Sequence, residues 1–251
     1  MAQMMVLGSA NAVPDVGQEN TYLLACTSER SVLIDCGNNP VPLLRKMNIN
    51  LDQLSDLILT HFHPDHVASA PLLLMDMWLL GRTAPLRILG LNDVIDRMEA
   101  MMELYDWRSW PRFYPVIYER VPAEEMSLVL DYSDMRVYGS PVEHMIPTMG
   151  LRFEFPAPRR VIAYSCDTEP CQQVVRLGQD ADILLHESAG ASYGHSSPAQ
   201  AAGIAVEAGA RSLCLIHYPT DSNPDDLVKE AQKVFPRRVF AARDQMDLNI
   251  D

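Results

Sequence analysis

Along this chain short apolar runs alternate with stretches of helical periodicity, the pattern of a mixed α/β architecture. In the first half the apolar runs predict strands at Met4–Leu7, Thr21–Cys26, Ser31–Asp35, Asp56–Thr60 and Leu86–Leu89. Helices are predicted over Leu43–Met47, Val67–Leu80 and Asp93–Tyr105. From Pro111 to Phe155 the chain is richer in Pro, Tyr and alternating residues, which predicts antiparallel strands. The α/β rhythm then returns, with strands at Val161–Ser165, Ile183–His186, Ser212–His217 and Arg238–Ala241. Helices over Pro170–Leu177, Pro198–Ala208 and Pro224–Val234 lie between them. No linker, low-complexity segment or short-period repeat interrupts the pattern. One compact α/β domain over residues 1–251, with two sheets inside and helices outside, is the expectation.

Composition narrows the function more than the fold. The N-terminal segment lacks a basic start followed by an apolar core, so no signal peptide is expected. The apolar stretch Pro71–Leu80 is interrupted by Asp76 and is too short to cross a bilayer. A soluble, cytoplasmic protein with no membrane partner is expected. Five scattered cysteines, Cys26, Cys36, Cys166, Cys171 and Cys214, form no CxxC pair, which argues against a disulfide framework and a cysteine zinc knuckle. Twenty basic residues against 33 acidic ones give a net charge of −13. Nucleic-acid binders gain affinity by neutralising phosphates with Lys and Arg, so a large polyanion such as RNA is disfavoured as partner.

The segment Asp56–Ser69, DLILTHFHPDHVAS, carries the clearest chemistry. His61, His63, Asp65 and His66 lie within six residues, directly after an apolar strand pattern. In an extended segment His61 and His63 point to one side and can clamp one ion. Pro64 stops the strand and turns Asp65 and His66 toward a neighbouring ion. Imidazole with carboxylate suits zinc and other borderline divalent metals. Four ligands cannot serve two metals, and the chain supplies further candidates at predicted strand ends: His144, Asp167 in YSCDT, and His217 in LCLIHYP. Of the two remaining histidines, His186 reads as a buried structural residue at the end of an apolar strand. His195 lies just before a helix that Ser196 or Ser197 caps and Pro198 opens. Near the metals, His195 could donate a proton to a leaving group, with Glu187 orienting its imidazole.

Together these segments resemble the metallo-β-lactamase superfamily and, within it, the branch around ribonuclease Z. HFHPDH is similar to the superfamily's ligand motif, and LIDCG to its aspartate–glycine strand end. YSCDT stands where the branch usually has SGDT, with Cys166 replacing a glycine. LLHES and GHSSPAQAA resemble its paired Glu and His motifs, and LIHYP its final ligand motif. WLLGRTAPLRILG and the opening LGSANAVP are also similar to the family's. The resemblance implies a four-layer αββα sandwich and two Zn2+ ions, with Mn2+ as the substitute. It places His61, His63 and His144 on one metal, Asp65, His66 and His217 on the other, and Asp167 between them. It further implies that a shared hydroxide attacks phosphorus, that Asp65 positions it or accepts its proton, and that His195, supported by Glu187, protonates the departing oxygen. Relatives are often dimers, so a homodimer is expected on this ground alone.

Ribonuclease Z enzymes commonly carry a long arm for gripping tRNA between the positions of His144 and Asp167. Here 22 residues separate the two, and two short strands account for most of them. The leading expectation is therefore a phosphodiesterase for a small or cyclic phosphodiester. The alternatives are an arm-less tRNA 3′-processing endoribonuclease, a hydrolase of an aryl sulfate or lactone, and a metal-binding interaction protein without catalysis. The Glu187–His195 pair favours the first, because a poor alkoxide leaving group needs an acid. The Met- and aromatic-rich stretch Pro71–Trp110 reads first as core packing, with a substrate pocket or subunit contact as alternatives.

Overall fold

The computed structural model describes residues 2–248. The first half builds β1 (Gln3–Gly8), β2 (Tyr22–Cys26), β3 (Ser31–Ile34), α1 (Val41–Lys46), β4 (Leu54–Ile58), α2 (Pro64–Val67), α3 (Ala70–Leu79), β5 (Leu86–Leu91), α4 (Asn92–Glu103) and β6 (Val116–Val121). The second half builds β7 (Ser127–Asp131), β8 (Arg136–Val142), β9 (Thr148–Pro156), β10 (Arg159–Tyr164), α5 (Gln172–Leu177), β11 (Ile183–Glu187), α6 (Pro198–Glu207), β12 (Ser212–Ile216), α7 (Pro224–Gln232), β13 (Arg238–Ala241) and β14 (Met246–Asp247).

The strands form two seven-stranded sheets, ordered β14-β1-β2-β3-β4-β5-β6 and β13-β12-β11-β10-β9-β8-β7. In the first, β3 through β6 run parallel; in the second, β10 through β13 do, and the remaining pairs are antiparallel. Leu185, Cys214 and Ile216 of the second sheet join Leu23, Val32 and Leu57 of the first in the larger core between the sheets. Leu184, Leu213 and Leu215, one residue out of phase, pack instead with Val174, Ala201 and Ala205 of α5 and α6. Burial on both faces explains why ILLHE and SLCLI read as continuous apolar runs rather than alternating ones. With α4 on β5 and β6, and α6 and α7 on the second sheet, the molecule is an α/β sandwich.

Local sequence sets several boundaries. Ser197 caps α6 by accepting from the Gln200 N–H, the Gln200 side chain returns the bond, and Pro198 opens the helix where no donor is needed. Three expectations are corrected. The single helix over Val67–Leu80 is two helices, broken at Ala68–Ser69 before Pro71, which has no N–H to continue the ladder. β6, expected among the antiparallel strands, pairs in parallel with β5, because α4 returns the chain as a crossover. β4 ends its pairing at Ile58 rather than Thr60, so His61 and His63 lie beyond the sheet. Between His144 and Asp167 the chain forms the hairpin β9–β10 and no longer extension. No helix among the described residues is long and apolar enough to cross a membrane.

Candidate metal centre

The polar residues that matter follow the C-terminal ends of strands in both sheets, where an open parallel sheet leaves its backbone unpaired. Asp35 follows β3 and His61 to His66 follow β4; His144, Asp167 and His217 follow β8, β10 and β12, and Glu187 ends β11. Three of these bends use left-handed backbone without glycine: Asp35 (φ 63°), Cys166 (φ 55°) and His217 (φ 55°). Each costs about 1–2 kcal/mol. The value at Cys166 shows why glycine suits that position in the resembling motif. Gly37 is required for a different reason, since an added Cβ would overlap the backbone of Asp65.

Two groups of ligand atoms result. In the first, His61, His63 and His144 bring ring nitrogens within 4.8 Å of one another. His61 Nε2 is 3.0 Å from His63 Nδ1, and His144 Nε2 is 3.2 Å from the same atom. In the second, Asp65, His66, Asp167 and His217 meet the same limit. Asp167 Oδ2 lies 3.1 Å from His217 Nε2, 3.6 Å from His66 Nε2 and 3.9 Å from His61 Nε2, so this one oxygen touches both groups.

The tautomers are prepared from outside. His61 Nδ1 meets Thr60 Oγ1 at 3.1 Å, His66 Nδ1 meets Asp35 Oδ2 at 2.8 Å, His144 Nδ1 meets the Gly194 carbonyl at 2.7 Å, and His217 Nδ1 meets Thr21 Oγ1 at 3.1 Å. With an acceptor at Nδ1, each ring carries its proton there and turns a bare Nε2 inward. His66 Nε2 and Asp167 Oδ1 are buried without a hydrogen-bond partner. Converging lone pairs and orphaned acceptors are costly together unless a cation satisfies them, so the donor set fits divalent metal.

Burial and neighbouring charges shift the ionisation of these groups in different directions. Burial opposes charge on Asp167, but His217 and His66 outweigh it and hold the carboxyl well below its usual range. Burial opposes a charged His66 too, yet Asp167 and Asp35 push its pKa well up. Desolvation dominates at His61 and pushes its pKa well down.

Beside this cluster Glu187, fully buried, accepts from His195 Nδ1 at 3.1 Å, from Ser196 N at 2.9 Å and from Ala189 N at 2.8 Å. The bond to Glu187 raises the His195 pKa, while burial raises that of Glu187. His195 lines a cavity of about 290 Å³ together with His63, Asp65, Asp167 and His217. All nine positions expected to act, His61, His63, Asp65, His66, His144, Asp167, Glu187, His195 and His217, thus meet in one place.

Residues 2–239 match the family described as anti-Pycsar protein Apyc1. The chain belongs to that family. This Apyc1-family chain is also 25% identical over 296 residues to a ribonuclease Z of Bacteroides fragilis, covering 95% of this chain and 96% of the relative. That alignment is longer than the 251 residues here, so the relative carries segments with no counterpart in this chain. Among solved structures, the metallo-β-lactamase fold protein YhfI from Bacillus subtilis superposes with a TM-score of 0.81 at 23% identity over 98% of both chains. The short form of human tRNase Z gives 0.78 at 23% identity over 100% of both. The fold is that of the metallo-β-lactamases, and the chain sits in their ribonuclease Z-like branch.

In the Apyc1-family chain, reasoning from residue types missed the outer layer. Thr60 donates to the buried Asp35 (Oδ2 at 2.8 Å), which also receives His66, so one carboxylate steadies both groups. Cys166 Sγ sits 3.0 Å from Thr60 Oγ1. Asp35 and Cys166 were visible only as parts of motifs, and Thr21 gave no signal. His186 is fully buried, and its Nδ1 donates to the Glu187 carbonyl at 2.8 Å, away from the ligand groups.

Proposed function

We propose that this metal-dependent hydrolase is a phosphodiesterase for a small or cyclic phosphodiester, acting as one hydrolase domain over residues 1–251. His61, His63 and His144 would hold one Zn2+ (or Mn2+), and Asp65, His66 and His217 the other, with Asp167 between them. Bound divalent ions supply water acidified to a pKa of about 7 and neutralise charge on phosphoryl oxygens.

The observation that carries the reading is the His195–Glu187 bond of 3.1 Å at the wall of the same cavity. Glu187 holds the His195 Nδ1 proton, leaving Nε2 to deliver a second proton to the departing oxygen. An alkoxide is a poor leaving group, so such an acid has a purpose in diester cleavage. Asp65, partly exposed at the cavity, orients the attacking water and accepts its proton at a carboxylate oxygen. A cavity of about 290 Å³ suits a small ester better than a folded RNA, and the net charge of −13 points the same way. A homodimer belongs to this reading, since Leu79, Leu80, Leu104 and Tyr105 are exposed at the ends of α3 and α4.

The test is hydrolysis of bis-p-nitrophenyl phosphate by metal-reconstituted protein, beside p-nitrophenyl sulfate, a lactone and a pre-tRNA with a 3′ trailer. Preferential cleavage of the diester, with the trailer intact, is expected. Efficient trailer removal would replace this reading with tRNA 3′ processing, and sedimentation as a monomer would remove the dimer.

A further inference from the structure

Asn11 lines the cavity that holds His63, Asp65, Asp167, His195 and His217. Its position is fixed from both sides. Its N–H donates to the Tyr218 carbonyl at 3.2 Å, next to His217, and its carbonyl accepts from Asn20 Nδ2 at 2.8 Å, just before β2. The side chain is oriented as well. Val13 N donates to Asn11 Oδ1 at 3.1 Å, an Asx turn that points the amide oxygen at the backbone. That bond decides which end of the amide is which, because a backbone N–H requires the oxygen. Asn11 Nδ2 is left with no partner among the described residues.

The remaining cavity wall is either the ligand-type and acid–base residues already placed or the apolar Ala12, Pro64, Met145 and Ala189. No lysine, arginine or hydroxyl side chain lines it among the described residues. Outside the ligand-type and acid–base residues, Asn11 is therefore the one hydrogen-bonding side chain on this wall among the described residues, with its donors free and its acceptor occupied. A substrate's phosphoryl group meets the ligand cluster and His195. What lies beyond that group meets apolar surface and one amide.

We infer that Asn11 is a specificity-determining residue, its amide donating a hydrogen bond to an acceptor oxygen on the non-reacting part of the substrate. This rests on the phosphodiesterase reading. Met145, Ala12 and Ala189 accept the flat or apolar body of that part, and the Asn11 NH2 selects bodies that present a carbonyl or hydroxyl oxygen. A bond made equally in ground and transition states lowers KM more than it raises kcat.

The test compares wild type with Asn11→Ala and Asn11→Asp, both metal-loaded. Asp keeps an oxygen for the Val13 N–H, and so keeps the turn, but removes the donor. Two substrates are used: thymidine 5′-p-nitrophenyl phosphate, which carries carbonyls and a hydroxyl, and bis-p-nitrophenyl phosphate, which has only nitro oxygens beyond the phosphate. Both variants are expected to lower the preference for the nucleoside diester about five- to tenfold, chiefly through KM, the size of one hydrogen bond. Calorimetric binding of thymidine 5′-monophosphate should weaken by a similar factor. Equal losses on both diesters would move Asn11 to the phosphoryl group and overturn the inference. So would an effect of Asp without one of Ala, which is charge repulsion alone. If wild type cleaves neither diester, the phosphodiesterase reading fails by itself. The binding comparison still decides on Asn11, because equal affinity in wild type and variants, or no binding to either, counts against it.

Discussion

His144 and Gly194 are joined by a 2.7 Å hydrogen bond from the imidazole Nδ1 to the backbone carbonyl. Fifty residues of chain separate the two. The bond ties a candidate metal ligand to the residue before His195, so the three-histidine group and the proton donor share one support. Glu169 completes the support by accepting from Gly194 N at 2.8 Å.

Gly194→Ala should therefore disturb both functions. The residue has φ 80°, and an added Cβ would lie 2.9 Å from His144 Nδ1. Metal affinity of the three-histidine group should fall about 10- to 100-fold, as when a ligand histidine loses its outer partner. Chelator competition would show it, and unchanged affinity would mean that the loop moves without consequence for His144.

Asp167→Ala should release or disorder metal from both groups, since one of its oxygens lies within 3.9 Å of His217, His66 and His61. Metal content per chain is the readout. Two tightly bound ions with full activity would remove Asp167 from the bridging position.

His195→Ala should retain metal and lose rate mainly on diesters with poor leaving groups, by roughly 10²–10⁴-fold. Activated p-nitrophenyl esters should be affected far less, because p-nitrophenolate departs without a proton. Glu187→Gln should follow the same pattern more weakly. A uniform loss across a leaving-group series would contradict the acid assignment.

His186 makes the fold sensitive to acid. Burial pushes its pKa down to about 4 from an ordinary value of about 6.5. The unfolded chain binds the proton first, so stability is complete above about pH 6.5 and is lost as pH falls toward 4. The loss amounts to about 3 kcal/mol for this one group. In EDTA, which keeps metal release out of the comparison, urea unfolding of His186→Leu should depend on pH less steeply than wild type across that window. Parallel curves would mean that the ring titrates normally.

The dense ligand spacing of His61, His63, Asp65 and His66 was legible because all four fall on one short segment, where local geometry alone brings them together. The strand-end position of His144 was legible through the alternating run Met135–Glu143 before it, and those of Asp167 and His217 through the apolar runs before them. Two sheets with helices outside were legible because apolar runs alternate with helical stretches early in the chain and that rhythm returns from Arg160 onward. β6 was misread, because a strand's pattern records which faces are buried and carries little information about which neighbour it pairs with, or in what direction.

What the sequence by itself determined is the kind of chemistry: imidazoles and carboxylates at ligand spacing, and a Glu–His pair to move a proton. The tertiary structure decided how those groups are held. Thr21 lies 196 residues from His217, and Asp35 31 residues from His66, yet Thr21 fixes the imidazole of His217 and Asp35 that of His66. The amide of Asn11 was likewise one polar side chain among many until the chain end of β12 came beside it. Contacts of this kind join surfaces that only packing brings together, and a hydrogen bond between distant segments leaves no period along the chain.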